Sequence, residues 1–291
     1  MSTVKNYLSL VKFSHTIFAM PFAMIGFAIG VNAIDIHQYT FAQILLKFLL
    51  VLVCMVTARS AAMAFNRYLD RSFDAKNPRT AIREIPRGII SPNNALRFTI
   101  INCILFIIAT FFINKLCFAL SFVALFVVLF YSYTKRFTAL CHLVLGLGMS
   151  LAPIGAYIAV TGKFDLLPVL FSIAVITWGS GFDIIYAMQD IDFDNSQKLH
   201  SIPTFMGAAK ALNLSVFLHI ISAAAVVFAG VYGHFGILYW LGIAVFIGML
   251  VYQHLLVKPN DLSKVNIAFM TANGIASIVF GVLVIADVIV F

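Results

Sequence analysis

Charge is the scarcest property of this 291-residue chain. Asp, Glu, Lys and Arg make up 10% of it, where a soluble globular domain carries about 25%. Cysteine is sparse too. Cys54, Cys103, Cys117 and Cys141 are scattered through apolar sequence with no CxxC pair, which excludes a disulfide scaffold and reads as buried small hydrophobes. The seven histidines contain no HExxH motif. His15, His37, His142, His219, His234 and His254 read as packing or interfacial residues; His200 stands apart because it follows an acidic cluster. No cleavable signal peptide is read. Lys5 and Lys12 lead into a span too long for an h-region, so the first helix is expected to stay as an anchor. The net charge of +8 does not point to nucleic acid. It suits orientation in a membrane and contact with anionic lipid or phosphate.

What the chain has is hydrophobicity, at 62% of residues. Much of it comes in runs of about 18 or more residues, the length that crosses a hydrocarbon core of roughly 30 Å. Nine spans are expected, at about 14–34, 41–64, 96–113, 116–134, 141–161, 166–188, 211–232, 235–256 and 266–290. Open strands cannot live in lipid, and no alternating pattern suggests a barrel. The expected fold is therefore all-α: a polytopic membrane protein, a single domain over 1–291, built as a nine-helix bundle.

Sorting the basic residues by side gives the orientation. One side, holding the N-terminus and the loops after spans 2, 4, 6 and 8, collects 16 of the 19 Lys and Arg; Lys47, Lys115 and Lys163 lie on the other. The positive-inside rule then places the N-terminus in the cytoplasm and the C-terminus outside, in a membrane expected to be a bacterial inner membrane. Eight of the eleven acids share the basic side. Orientation does not require them, so this Asp-rich cytoplasmic face asks for another cause.

The acids concentrate in two loops, 65–95 and 183–210. Asn66, Asp70 and Asp74 are spaced i, i+4, i+8 and would line one helical face. Asp190 and Asp194 repeat the spacing, and Asp183 and Tyr186 extend that face toward the membrane. The pairs Asp70/Asp190 and Asp74/Asp194 are each 120 positions apart, and an Ile-Pro follows each cluster, a trace of an internal repeat. Carboxylates this close repel one another. A hard divalent cation relieves them, and Mg²⁺ typically bridges one or two carboxylates to a substrate phosphate. Arg67, Arg71, Lys76, Arg79, Arg83, Lys135, Arg136 and Lys198 are the candidates for the remaining phosphate oxygens. Arg59 lies inside span 2 on the face of Asn66. An intramembrane charge is a functional hypothesis by default, met here by pairing with Asp183 or by substrate contact. Among the aromatic residues, Phe18, Phe65 or Phe182 are candidates to flank a carbocation. An ion-coupled transporter using Asp183 and Arg59 is the alternative reading. It fits less well, because the acids cluster at helix ends rather than at the midplane.

Arg59-Ser60-Ala61-Ala62 leading to Asn66-xxx-Asp70-xxx-Asp74 resembles the first signature of the UbiA-type intramembrane prenyltransferases, and Tyr186-xxx-Asp190-xxx-Asp194 the second. The stretch from Arg79 to Gly88 and the segment Tyr133-x-Lys135-Arg136-x-Thr138 also match, and the likeness covers nearly the whole chain. Its quinone-pathway members are the nearest in pattern, including those acting on 4-hydroxybenzoate and a menaquinone branch. The resemblance implies Mg²⁺ held by Asn66, Asp70 and Asp74 on one side and Asp190 and Asp194 on the other. It implies a polyprenyl diphosphate donor and an aromatic acceptor, with Arg79, Lys135 and Arg136 on diphosphate or on the acceptor's carboxylate. Two positions depart from the pattern: Arg67 stands where Asp is frequent, and His200 where Lys is frequent. Arg136 is expected to grip the acceptor's carboxylate, the other reading being that Lys135 and Arg136 only stop span 4 at the interface.

The orientation is directly testable. A reporter fused after Lys135 should read cytoplasmic, and one fused at Lys163 should read external; the opposite pair of signals would invert the topology.

Overall fold

Polar caps and turn residues divide the apolar sequence into helices at the expected places. The computed structural model describes residues 3–12, 16 and 18–290. The start of the first expected span, with Ser14 and His15, lies outside the described residues. Helix α1 is Thr3–Leu10 and α2 is Met20–Asn32, opened by a proline in its first turn. Helix α3, Phe41–Leu69, begins with a capping box: Thr40 Oγ1 accepts from Gln43 N at 3.3 Å, and Gln43 Oε1 accepts from Thr40 N at 2.8 Å. Then come α4 (Arg71–Lys76), α5 (Pro92–Ile113, capped by Ser91) and α6 (Lys115–Thr134, capped by Asn114). Helix α7, Cys141–Thr161, stops at Gly162, whose φ of 70° suits glycine. The remainder is α8 (Leu166–Ala187), the short α9 (Ile191–Ser196) and α10 (Ile202–Met206), α11 (Ala208–Tyr232), α12 (Ile237–Leu256), a π-turn at Ile267–Ala272 and α13 (Asn273–Val290).

Among the described residues, eight helices are long and apolar enough to cross a membrane. The first expected span is represented by α2, whose 13 residues rise only about 20 Å. Helix α2 instead packs closely on α7 and α13. It does so through glycine: a Cβ on Gly26 would lie 2.0 Å from the carbonyl oxygen of Pro153. Gly26 and Gly30 form a GxxxG pair that lets two backbones meet where apolar burial alone gives little drive. The acidic segments are more helical than loops. Helix α3 runs five residues past the expected end at 64, to Leu69. Hydropathy marks where lipid stops, not where backbone hydrogen bonding stops.

The long helices pack in chain order, α3 on α5, α5 on α6, and so on through α13, with α13 returning to α2. The packing is uneven. The largest core lies among α2, α8 and α11–α13, around the fully buried Trp178, Phe22, Phe246 and Phe280. A smaller cluster joins α2 to α3, α6 and α7. One buried carboxylate serves the larger core: Asp287, on α13, accepts from the backbone of Gly236 at 2.7 Å and of Tyr239 at 3.1 Å, capping α12 from outside it. Asp287→Ala should strand both N–H groups and destabilise the fold by about 1–3 kcal/mol. Thermal unfolding in detergent, compared with the wild type, measures this.

Candidate active site

Where the core thins, between α3, α5, α6, α7 and α8, a cavity of about 960 Å³ opens. The segment 77–91 borders it at the end that holds the acids. Its lining runs along α3 from Asp70 to Val51, about 28 Å of helix. The acidic end is polar, whereas the far end, around Val51, Ile113, Leu120 and Ile158, is apolar.

The first acidic arm keeps its helical register across the end of α3. Asp70 N donates to Asn66 O at 2.9 Å and Asp74 N to Asp70 O at 2.7 Å. All three side chains therefore reach the cavity together, with Asn66 Nδ2 donating to Asp70 Oδ2 at 3.2 Å. The second arm has the same local form. In one arm the long helix ends at the first Asp; in the other a single 3-10 turn, Met188–Asp190, separates the long helix from it and closes on it. In both, a six-residue helix then carries the second Asp at its fourth position, in Arg71–Lys76 and in Ile191–Ser196. Asp190 and Asp194 both line the cavity.

Basic side chains hold these carboxylates. Asp70 receives Lys135 Nζ on Oδ2 at 2.7 Å and Arg136 Nη2 on Oδ1 at 3.0 Å. Asp74 Oδ1 receives Arg83 Nη1 at 2.6 Å, while its Oδ2 is buried without a partner. Asp190 is gripped from both sides of its carboxylate by Arg79, with Asn77 Nδ2 adding a bond at 3.1 Å. Arg79 Nη1 also donates to Tyr186 OH at 2.9 Å. Burial pulls the Arg79 guanidinium down, but Asp190 and Tyr186 outweigh it and hold the group above its ordinary value. The side chain of Asp194 makes no hydrogen bond or ion pair with the described residues.

Other expected residues fall differently. Asp183 pairs with His142, Nδ1 to Oδ2 at 2.7 Å, and not with Arg59. Helix α7 packs along α8, which brings its first turn to the last turn of α8. Arg59 lines the cavity without a hydrogen bond or ion pair to the described residues, and its Nε is buried. Arg67 is in the same state, at 7% exposure. Arg136 lies outside the lining, its terminal nitrogens engaged by Asp70, Leu69 O and Ser132 O. Lys198 is exposed and does not border the cavity. Phe18 and Phe182 border it; Phe65 does not, and stacks on Tyr68. His142 is the residue that the sequence did not flag. It sits 41 positions from its partner, and nothing in local spacing announces the pair. His200 joins the site through its backbone, its N–H donating to Lys135 O at 2.7 Å.

The donor set suits Mg²⁺. Every acidic group at this end is a hard oxygen donor, and Asp74 Oδ2 is a buried acceptor without a partner. Among the described residues no three His, Cys, Asp or Glu side chains converge on one point.

A model of the UbiA prenyltransferase family matches residues 17–275. The chain belongs to that family, and it is an enzyme, a transferase of prenyl groups. That displaces the ion-coupled transporter as a reading of Asp183 and Arg59. The 4-hydroxybenzoate octaprenyltransferase of Francisella tularensis subsp. tularensis (strain WY96-3418) is 28% identical over 235 residues, 81% of each chain. A UbiA homologue from Aeropyrum pernix K1, in its apo structure, is similar at a TM-score of 0.79 and 27% identity, over 95% of this chain and 97% of that one. A UbiA homologue from Archaeoglobus fulgidus, bound to DMAPP and Mg²⁺, shares the fold at a TM-score of 0.75 and 19% identity, over 98% and 100%.

Proposed function

We propose that this enzyme transfers a polyprenyl group from a polyprenyl diphosphate to an aromatic acceptor, 4-hydroxybenzoate or a related quinone precursor such as a dihydroxynaphthoate, and depends on Mg²⁺. It would do so in ubiquinone or menaquinone synthesis, from a nine-helix bundle with its Asp-rich face and N-terminus in the cytoplasm. The observation that carries the reading is the charge set at the acidic end: two Asp arms and four basic groups, Arg79, Arg83, Lys135 and Arg136, that neutralise one another. The names of the relatives support the acceptor class.

Bound to Asn66, Asp70 and Asp74 on one arm and Asp190 and Asp194 on the other, Mg²⁺ would offset diphosphate charge and favour its departure. The carboxylates then no longer need their basic partners. Arg79, Arg83 and Lys135 become donors for phosphate oxygens without leaving their places in the cavity wall. Asp183 stays with His142 and shapes the wall beside Tyr186. The apolar arm of the cavity takes the polyprenyl chain. Lys198, exposed and outside the lining, has no part in this arrangement.

The acceptor's anionic handle belongs with Arg59 and Arg67. A buried charge without a partner is costly, and two such guanidiniums border one cavity. A carboxylate placed between them satisfies both. Arg136, already bonded to Asp70 and two carbonyls, acts instead by fixing Asp70.

Purified protein incubated with Mg²⁺, polyprenyl diphosphates and a panel of hydroxybenzoates and naphthoates should yield a C-prenylated product, identified by mass. Asp70→Asn and Asp190→Asn should each cut turnover by orders of magnitude with the melting temperature retained. EDTA should abolish activity and added Mg²⁺ restore it. Full activity in either variant or in EDTA would remove the metal–diphosphate mechanism.

Arg59→Ala should raise the KM for the aromatic acid about tenfold or more, the loss expected for charge-assisted hydrogen bonds of ~1.5–3 kcal/mol, and leave the diphosphate KM nearly unchanged. Arg136→Ala should do the reverse. Steady-state kinetics with each substrate varied in turn separates the two roles.

A further inference from the structure

The last membrane segment does not begin as a regular α-helix. Ile267–Ala272 is a π-turn leading into α13, a form that is rare and concentrates at functional sites. Two of its carbonyls, Ala268 O and Phe269 O, accept from Asn273 Nδ2 at 3.1 and 3.0 Å. Asn273 Oδ1 accepts in turn from Trp178 Nε1 at 2.8 Å. Asn273 and Trp178 are fully buried. A polar chain inside an apolar core rigidifies what it holds when every member is satisfied.

What this chain holds is one ring. Phe269 lies 4.3 Å, centroid to centroid, from Tyr186 and meets Phe18 and Phe182 edge-on at 5.3 and 5.5 Å. All four rings border the cavity. Tyr186 is one helical turn before Asp190, and its hydroxyl takes a bond from the same Arg79 that grips Asp190. The aromatic wall therefore abuts the acidic end, where the polar head and the apolar tail of a prenyl diphosphate would join.

We infer that Phe269, with Phe18, Phe182 and Tyr186, forms the wall against which the allylic C1 ionises, and that Trp178 and Asn273 are positioning residues acting through the π-turn. The inference rests on the prenyl-transfer reading above. As the C1–O bond breaks, its electron pair leaves with diphosphate. A carbon of the acceptor ring supplies the pair for the new C–C bond, and the ring then loses a proton to water. Water reaching C1 first would form a C–O bond instead, giving the prenyl alcohol and a proton. A wall of π faces favours the cation and, being apolar, keeps that water away.

The test is the partition between the two products. Full-length wild type, Phe269→Leu, Phe269→Tyr and Asn273→Asp are compared with Mg²⁺, radiolabelled farnesyl diphosphate and saturating 4-hydroxybenzoate. Asn273→Asp keeps an acceptor for Trp178 and loses the donor to the two carbonyls. Phe269→Leu should lower kcat about tenfold, leave both KM values within about threefold and raise the share of farnesol. Phe269→Tyr should restore both readings, and Asn273→Asp should shift the partition as Phe269→Leu does with Phe269 intact. An unchanged farnesol share in a folded Phe269→Leu, checked by its melting temperature and farnesyl diphosphate binding, overturns the inference. A wild type that forms no C-prenylated product overturns the function reading first, so the two failures are told apart.

Discussion

Three aspartates, Asp70, Asp74 and Asp190, share one end of a cavity walled by apolar helices with their basic partners, and mutual neutralisation is the condition for keeping them there. Each pair also joins separate elements of the chain. Asp70 with Lys135 and Arg136 ties the end of α3 to the end of α6. Asp74 with Arg83, and Asp190 with Arg79, fasten the segment 77–91 to both acidic arms. Ion pairs of this kind contribute little net stability once desolvation is counted. Their value is placement: they hold the two acidic arms and the segment 77–91 together at one end of the cavity.

The hollow half depends on the solid half. Trp178, Phe22, Phe246 and Phe280 fill the core on the side of α2, α8 and α11–α13. That side carries Tyr186 and Phe269 to the cavity's edge and, through α8, the second acidic arm. On the other side α3, α5 and α6 turn many large apolar residues outward, Ile104, Phe112 and Phe126 among them, and little bulk fills the space behind them. Close backbone contact at Gly26, and at Gly146, where a Cβ would sit 2.4 Å from Ile176 O, locks α7 between the halves. A rigid wall facing an open one suits an enzyme that transfers a prenyl group.

Local spacing brought the two acidic sets to one cavity because it is carried by backbone geometry. The i, i+4 steps of Asn66, Asp70 and Asp74, and of Tyr186, Asp190 and Asp194, bring each set to one face even though a helix break falls at each first Asp. Hydropathy located the membrane helices for a similar reason, since water and lipid act on each residue alone. Helix α2 is the exception. Its apolar run reads as a full span, yet the described helix has 13 residues, and its environment is set by Pro153 and Val160 on α7 rather than by its own composition.

The covalent order of residues thus determined the helices, their membrane character, the two acidic arms and the family. It could not decide which charge meets which. Arg59 and Asp183 were plausible partners on sequence grounds, but α7 packs along α8 and gives Asp183 to His142, leaving Arg59 unpaired in the cavity. Arg136 looked free because no acid adjoins it in sequence, yet the end of α6 comes against the end of α3 and closes it onto Asp70. Phe269 carried no signal among 29 phenylalanines; only the fold brings its ring to 4.3 Å from that of Tyr186. Periodicity and hydropathy are properties of neighbours along the chain. Charge pairing and ring placement are properties of neighbours in space, and helix packing alone chooses those.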